Sequence, residues 1–179
     1  MSVSVENATF ILRDPRAEDE VAWRRLWSGY VAFYEAEVSE AVTSATWQRL
    51  LTPRTNMFGR IAEWQGAVAG FTVCVLHLGS WTLAPICYLE DLFVDAGARG
   101  HGIGHALIED LVTIARDRGW SQLYWHTREG NEAARRLYDR FAVADDFVRY
   151  RLFLTDPPRE PHRRLAPFGY PAEPNLPRK

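Results

Sequence analysis

Apolar residues recur at helical spacing from Ala17 to about Glu37, where Val21, Trp23, Leu26, Trp27, Tyr30, Val31, Phe33 and Tyr34 form one stripe. Thr43 to Leu51 predicts a second, shorter helix that closes before Pro53. Gly102 to Arg118 predicts a third: Ile103, Leu107, Ile108, Leu111, Val112 and Ala115 share a face, and Gly119 ends it. A fourth runs from Asn131, a suitable N-cap, to about Arg140. The strand signals are Thr9–Arg13, Met57–Trp64, Ala67–His77, Pro85–Val94, Trp120–Thr127 and Phe147–Leu154. Gln65-Gly66 joins two of them as a hairpin, and Pro85–Val94 is apolar enough to be central. The order β-α-α-β-β-β-α-β-α-β predicts an α/β fold: antiparallel strands first, βαβ crossovers after, and a mixed sheet with helices on both faces. Residues 1–154 form a single domain in this reading. Residues 155–179 carry most of the ten prolines and little periodicity, so they read as a tail.

Composition narrows the class. With 179 residues, 47% hydrophobic residues and seven tryptophans, the chain can bury a real core. A formal net charge of −2 argues against a general nucleic-acid binder. No stretch has the length of a membrane span or the pattern of a signal peptide, so a cytoplasmic protein with no membrane partner is expected. Cys74 and Cys87 lie in apolar strands and read as buried free thiols in a reducing compartment.

The chemistry concentrates in residues 89–104, LEDLFVDAGARGHGIG. A strand enters a turn with Gly100, Gly102 and Gly104, and the turn opens a helix. Glycines strip side chains from the backbone where a helix start exposes unpaired N–H groups, so the turn suits a phosphate. It is not a dinucleotide turn: the glycines alternate, His105 stands where a third glycine would, and the next strand ends in Trp125, His126 and Thr127 without an acid. It also lacks the Gly-Lys-Ser/Thr of a P-loop. His101 and His105 are four apart but have no third ligand nearby, so no metal is expected.

Arg99-x-x-Gly102-x-Gly104 matches the pyrophosphate signature Arg/Gln-x-x-Gly-x-Gly/Ala of the GNAT superfamily of N-acetyltransferases. With the strand Tyr88–Val94 before it and Trp125–Thr127 and Asn131–Asp139 after it, the chain resembles the spermidine/spermine-type and histone-type branch over residues 8–154. The resemblance implies the GNAT fold and acetyl-CoA as co-substrate. It implies that the backbone of Leu92, Phe93 and Val94 pairs with the pantetheine arm. The N–H groups of Arg99, Gly100, His101, Gly102, Ile103, Gly104 and His105 would hold the pyrophosphate, and Asn131 and Ala134 at the last helix start would contact the cofactor further along. One departure stands out: Asp146 occupies a position where the family commonly has glycine, so the turn before the last strand is not carried over.

The same resemblance suggests the reaction, transfer of acetyl to a primary amine in a ternary complex. An alkylamine with a pKa of about 10.4 is neutral in only about one molecule in 2,500 at pH 7, so a proton acceptor is needed. Glu90 matches the base position, with substrate-cation binding or a strand-end ion pair as its other readings. Asp91, adjacent on the strand, is expected on the opposite face, as a bracing carboxylate or part of the substrate site. Tyr138 matches the acid that protonates the leaving thiolate; the alternative is a core tyrosine at helical spacing. A backbone N–H near Leu92–Phe93 would face the carbonyl oxygen, which requires a bulge or splay there. Tyr30, Tyr34, Glu35 and Trp81 are expected to wall the acceptor site, and His126 is a reserve base. Aromatic walls with carboxylates suit a small cationic amine. A protein or peptide amine as acceptor, and a non-catalytic acyl-CoA sensor, are the alternatives. A homodimer is expected from the family alone.

Overall fold

The computed structural model describes residues 10–154. The tail reading of residues 155–179 lies outside them. The elements are β1 (Phe10–Arg13), α1 (Glu20–Phe33), α2 (Glu40–Leu51), β2 (Met57–Trp64), β3 (Ala67–His77), β4 (Ile86–Val94), α3 (Ile103–Asp117), β5 (Gln122–Trp125) and α4 (Glu132–Tyr138). The sheet order is β1-β2-β3-β4-β5. The first four strands are antiparallel neighbours, and β5 joins β4 in parallel after the α3 crossover.

Helices cover both faces. α1 and α2 pack on one, where Trp23, Trp27 and Trp47 surround Phe71 and Val73. Trp23 lies 5.0 Å from Trp47 and 5.2 Å from Trp27, ring centre to ring centre. The Trp27 indole N–H donates to Thr43 Oγ1 at 3.1 Å and ties the two helices together. Ser39 caps α2 by accepting from the Val42 N–H. On the other face the apolar stripe of α3 buries Ile103, Leu107, Ile108 and Leu111 against Ala62, Ala69, Cys74, Cys87 and Leu89. Both cysteines are buried and free.

Charged pairs pin the edges. Arg13 on β1 donates to both oxygens of Asp19, at 2.6 and 2.8 Å, and to Glu63 at 3.2 Å. Arg60 on β2 holds Asp110 of α3 at 2.6 Å and also pairs with Asp14.

The expected strand over residues 147–154 does not form. Phe147, Val148, Tyr150, Leu152 and Leu154 are exposed, and the segment has no ladder partner among the described residues. An alternating pattern shows that a segment could lie half-buried, but a strand needs a neighbour whose N–H and C=O groups meet its own. Arg149 in this segment is near enough to β4 and β5 for its charge to oppose the rise that burial causes in the Tyr88 and Tyr124 phenols.

Asp19 is 5% exposed, and its bond to Arg13 holds its carboxyl below the usual range. A carboxylate depressed by folding stabilises above its unfolded pKa, and that stability is lost as pH falls through the acid range. Asp19→Ala is therefore expected to cost about 3 kcal/mol at pH 7 in urea titration, with the difference from the parent shrinking as pH falls toward about 3.

Candidate active site at the β4–β5 parting

β4 pairs with β5 only from Ile86 to Leu89, opposite Gln122 to Trp125. Beyond Leu89 the strands part, and Glu90 to Val94 have β3 on one side only. This is the expected splay. The bulge lies slightly upstream of Leu92–Phe93. Val73 faces Asp91 while Cys74 faces Leu89, so Glu90 is the extra residue.

The bulge reverses the pleat. Cys87 and Leu89 point to the α3 face before it; Leu92 and Val94 do so after it. Asp91 therefore shares the α1–α2 face with its partner Val73 and with Phe93. The expectation that Glu90 and Asp91 point to opposite faces is corrected: regular alternation would separate them, but the inserted residue brings both toward one side. Glu90 is exposed, and its charge adds to the burial that raises Asp91, Tyr88 and Tyr124.

Asp91 sits under an aromatic wall. The Tyr30 phenol of α1 lies near enough to act on its carboxylate, and Tyr34 packs edge-on against Tyr30 at 5.0 Å. Burial pushes the Asp91 carboxyl up to about 7, against the opposing effect of the Tyr30 phenol. Burial also raises Tyr30 and Tyr34. Tyr138 comes from the opposite side: it packs with Trp125 at 5.4 Å in the α3-side core. Burial, then the nearby Tyr34, pushes its phenol up to about 12. Tyr34 and Tyr138, from opposite faces, are thus near enough for the charge of one to act on the other.

The turn after β4 combines two kinds of glycine. Gly100 and Gly102 have φ of +83° and +82°, and a Cβ there would meet nothing, so their backbone conformation requires glycine. Gly104 has ordinary φ, but a Cβ would lie 3.2 Å from the end of the Leu137 side chain of α4, a tight contact to which that side chain would have to yield. Ala106 N–H to Gly102 C=O is the first bond of α3, which leaves the N–H groups of Ile103, Gly104 and His105 without helical partners. Arg99 folds back, with its Nε donating to Val94 C=O at 3.1 Å and its guanidinium 5.5 Å from the Phe93 ring. His101 stacks on Trp64 at 4.5 Å, and His105 pairs with Glu109 at 3.3 Å. Neither imidazole bonds to the free N–H groups of the α3 start. This cradle, continuous with the unpaired side of Leu92 to Val94, fits a pyrophosphate followed by an extended arm.

Other expected residues vary. Asn131 caps α4, accepting from Ala134 N–H at 3.3 Å, and its amide donates to Thr127 at 3.2 Å. Glu35 follows the end of α1 with φ of +52°. His126 borders Tyr88 and Tyr124 at the end of β5, and burial followed by the Arg149 charge lowers its imidazole. Trp81 is not part of this constellation. It is 97% exposed in a cavity with Ser80, Ile86 and Gln122, at the start of β4 rather than its parted end. It lies in the β3–β4 loop, so its position follows from where β4 begins, not from its aromatic character.

Sequence reasoning missed Tyr88, Tyr124 and Arg128. Tyr88 and Tyr124 stack at 5.0 Å across the β4–β5 pair. Their signal was the strand register, which places them side by side. Arg128 follows β5 in the loop to α4 and carried no motif.

The family model of the acetyltransferase (GNAT) family matches residues 22–142. D-amino-acid N-acetyltransferase HPA3 of Saccharomyces cerevisiae is 31% identical over 81% of this chain and 91% of its own length. Thialysine N-epsilon-acetyltransferase of Bos taurus is 33% identical over 44% of this chain and 45% of its own. The structure of aminoglycoside N-acetyltransferase AAC(6')-Iy in complex with CoA superposes with a TM-score of 0.68 at 17% identity, covering 84% of this chain and 99% of that one.

The nearby Tyr30 phenol favours the charged Asp91 carboxylate. In Tyr30→Phe the Asp91 midpoint, followed by carboxyl-selective NMR, is expected to rise above about 7. An unchanged or lower midpoint would remove Tyr30 from control of this group.

Proposed function

Because the chain belongs to the acetyltransferase (GNAT) family and is an acetyl-CoA-dependent N-acetyltransferase, we propose that it acetylates the primary amine of a small, cationic molecule by direct attack in a ternary complex. The observation that carries this reading is the parting of β4 and β5 between a phosphate-compatible turn and an aromatic, carboxylate-bearing face. The named activities of the yeast and bovine relatives, on D-amino acids and thialysine, are compatible with a small acceptor that carries an ammonium group.

In this reading the N–H groups of the 99–105 turn hold the pyrophosphate, and Leu92 to Val94 hold the pantetheine arm as a neighbouring strand would. Asn131 and Ala134 flank the arm. A backbone N–H near Leu92–Phe93 faces the thioester oxygen as charge builds on it. The acceptor enters along Tyr30 and Tyr34. Glu90 takes the ammonium proton, directly or through water. The neutral amine nitrogen then bonds to the acetyl carbon, the carbon–sulfur bond breaks, Tyr138 donates its proton to the departing thiolate, and the excess proton on the nitrogen returns to the Tyr138 oxygen, directly or through water. A phenol held at about 12 keeps its proton at neutral pH and offers the sulfur a hydrogen bond that strengthens as charge builds there.

A second reading gives the base role to Asp91, because a carboxyl at about 7 accepts a proton better than an ordinary carboxylate does. The pH dependence of kcat separates the two. We expect Glu90→Gln to lower kcat about 100-fold and Asp91→Asn to act mainly on KM for the amine. If a limb near pH 7 disappears only in Asp91→Asn, Asp91 is the base.

Tyr138→Phe is expected to reduce kcat about 100-fold while KM for acetyl-CoA changes by less than about threefold, measured by thiol release. Equal loss in both would make Tyr138 a binding residue.

A further inference from the structure

The acceptor face is not uniformly acidic. Arg128, in the loop between β5 and α4, lays its guanidinium over the Tyr34 ring, 5.0 Å from the ring centre. Its side chain makes a long hydrogen bond, 3.4 Å from Nη2 to the Tyr34 carbonyl. Among the described residues it forms no ion pair, although Glu129 and Glu132 are close in sequence. By contrast, Arg13, Arg24, Arg25 and Arg60 are all paired with carboxylates. A planar cation held over an aromatic ring, with no carboxylate on its N–H edge, is preorganised for one.

Its position gives that edge a purpose. Beyond the effect of burial, Tyr34 feels the positive charge of Arg128 and the negative charge of Asp91, in opposite directions, and itself acts on Tyr138. Arg128 thus lies over Tyr34, which packs at 5.0 Å against Tyr30, the ring beside Asp91. Arg149, another cation near this face, acts on Tyr88, Tyr124 and His126 instead. Arg128 also lines an open cavity of about 640 Å³ with Phe33, Asn131, Glu132 and Arg136, so ligand can reach it; there Glu132 and Arg136 pair with each other at 3.6 Å, which among the described residues leaves Arg128 as the cation without a carboxylate.

From this juxtaposition we propose that Arg128 is the carboxylate-binding residue of the acceptor site and that the acceptor is an amino acid, its amine directed to Glu90 and Asp91 and its carboxylate to the Arg128 guanidinium. The inference rests on the acetyl-transfer reading for its chemistry, but not for its binding preference. A zwitterion satisfies both ends of the site. A simple polyamine would place a second cation against Arg128.

The test compares D- and L-alanine and lysine with their decarboxylated counterparts, ethylamine and cadaverine. Two readouts are used on the full chain: kcat/KM by thiol release, and Kd by calorimetry on the CoA-bound protein. The amino acids are expected to be preferred about 10- to 100-fold over the matched amines in both, mainly through KM. Arg128→Gln is expected to bring that ratio close to one, and Arg128→Lys to restore part of it. The proposal is overturned if the amines match or exceed the amino acids, or if Arg128→Gln leaves the ratio intact. It is also overturned if the variant instead raises KM for acetyl-CoA with no change in the ratio. Failure of every amine to release thiol, with the calorimetric preference present and dependent on Arg128, would sink the transferase reading and support the carboxylate site.

Discussion

The separation of β4 from β5 after the Leu89–Trp125 pair is the constraint from which the rest of the site follows. Parallel strands normally continue side by side, because unpaired backbone groups are costly when buried. Here β5 stops after four residues and its chain turns toward α4, so one edge of Glu90 to Val94 is open to another partner. The bulge at Glu90 compounds the effect. It moves Leu92 and Val94 onto the α3 core and turns Asp91 toward α1, where Tyr30 meets it. Without the parting there would be no path by which Tyr138, rooted in the α3-side core, could approach Tyr34 on the other face.

The turn that follows depends on the same geometry. β4 delivers the chain to the start of α3, and two glycines with positive φ bend it there. Gly104 lets α4 pack close enough for Leu137 to touch the α3 start. A Cβ at that position would press on the end of the Leu137 side chain, one residue before Tyr138. The start of α3 and the helix that carries Tyr138 meet at this contact.

Much of this was legible in the sequence. The periodicity of α3, the Gln65-Gly66 hairpin and the glycine turn are local signals, and the elements form where those signals stand. The parting was expected from the family resemblance, not from propensity. The relation between Glu90 and Asp91 was misread, because strict alternation holds only in an unbroken ladder and no residue near position 90 announces a bulge. The segment at 147–154 was misread for a different reason: its pattern is strand-like, but pairing is a property of two segments, and only one was in view. Trp81 was placed by its chemistry and found elsewhere, since a loop at the wrong end of β4 cannot reach the parted end.

Arg128 was invisible for the opposite reason. A lone arginine in a polar loop is ordinary, and its meaning appears only when Tyr34 is found beneath it. Stacking on a ring leaves the guanidinium's N–H groups free in its own plane, while desolvation by the ring strengthens any charge they meet. Asp91, on the far side of Tyr34 and Tyr30, gives this face a carboxyl that burial pushes up to about 7. Opposite charges that stood in direct contact would neutralise each other and present nothing to a ligand. Separated by Tyr30 and Tyr34, they remain two binding poles with an aromatic floor between them. Such a site discriminates by the distance and sign of two groups on one small molecule. That discrimination needs no long groove, and it operates before any acetyl group moves.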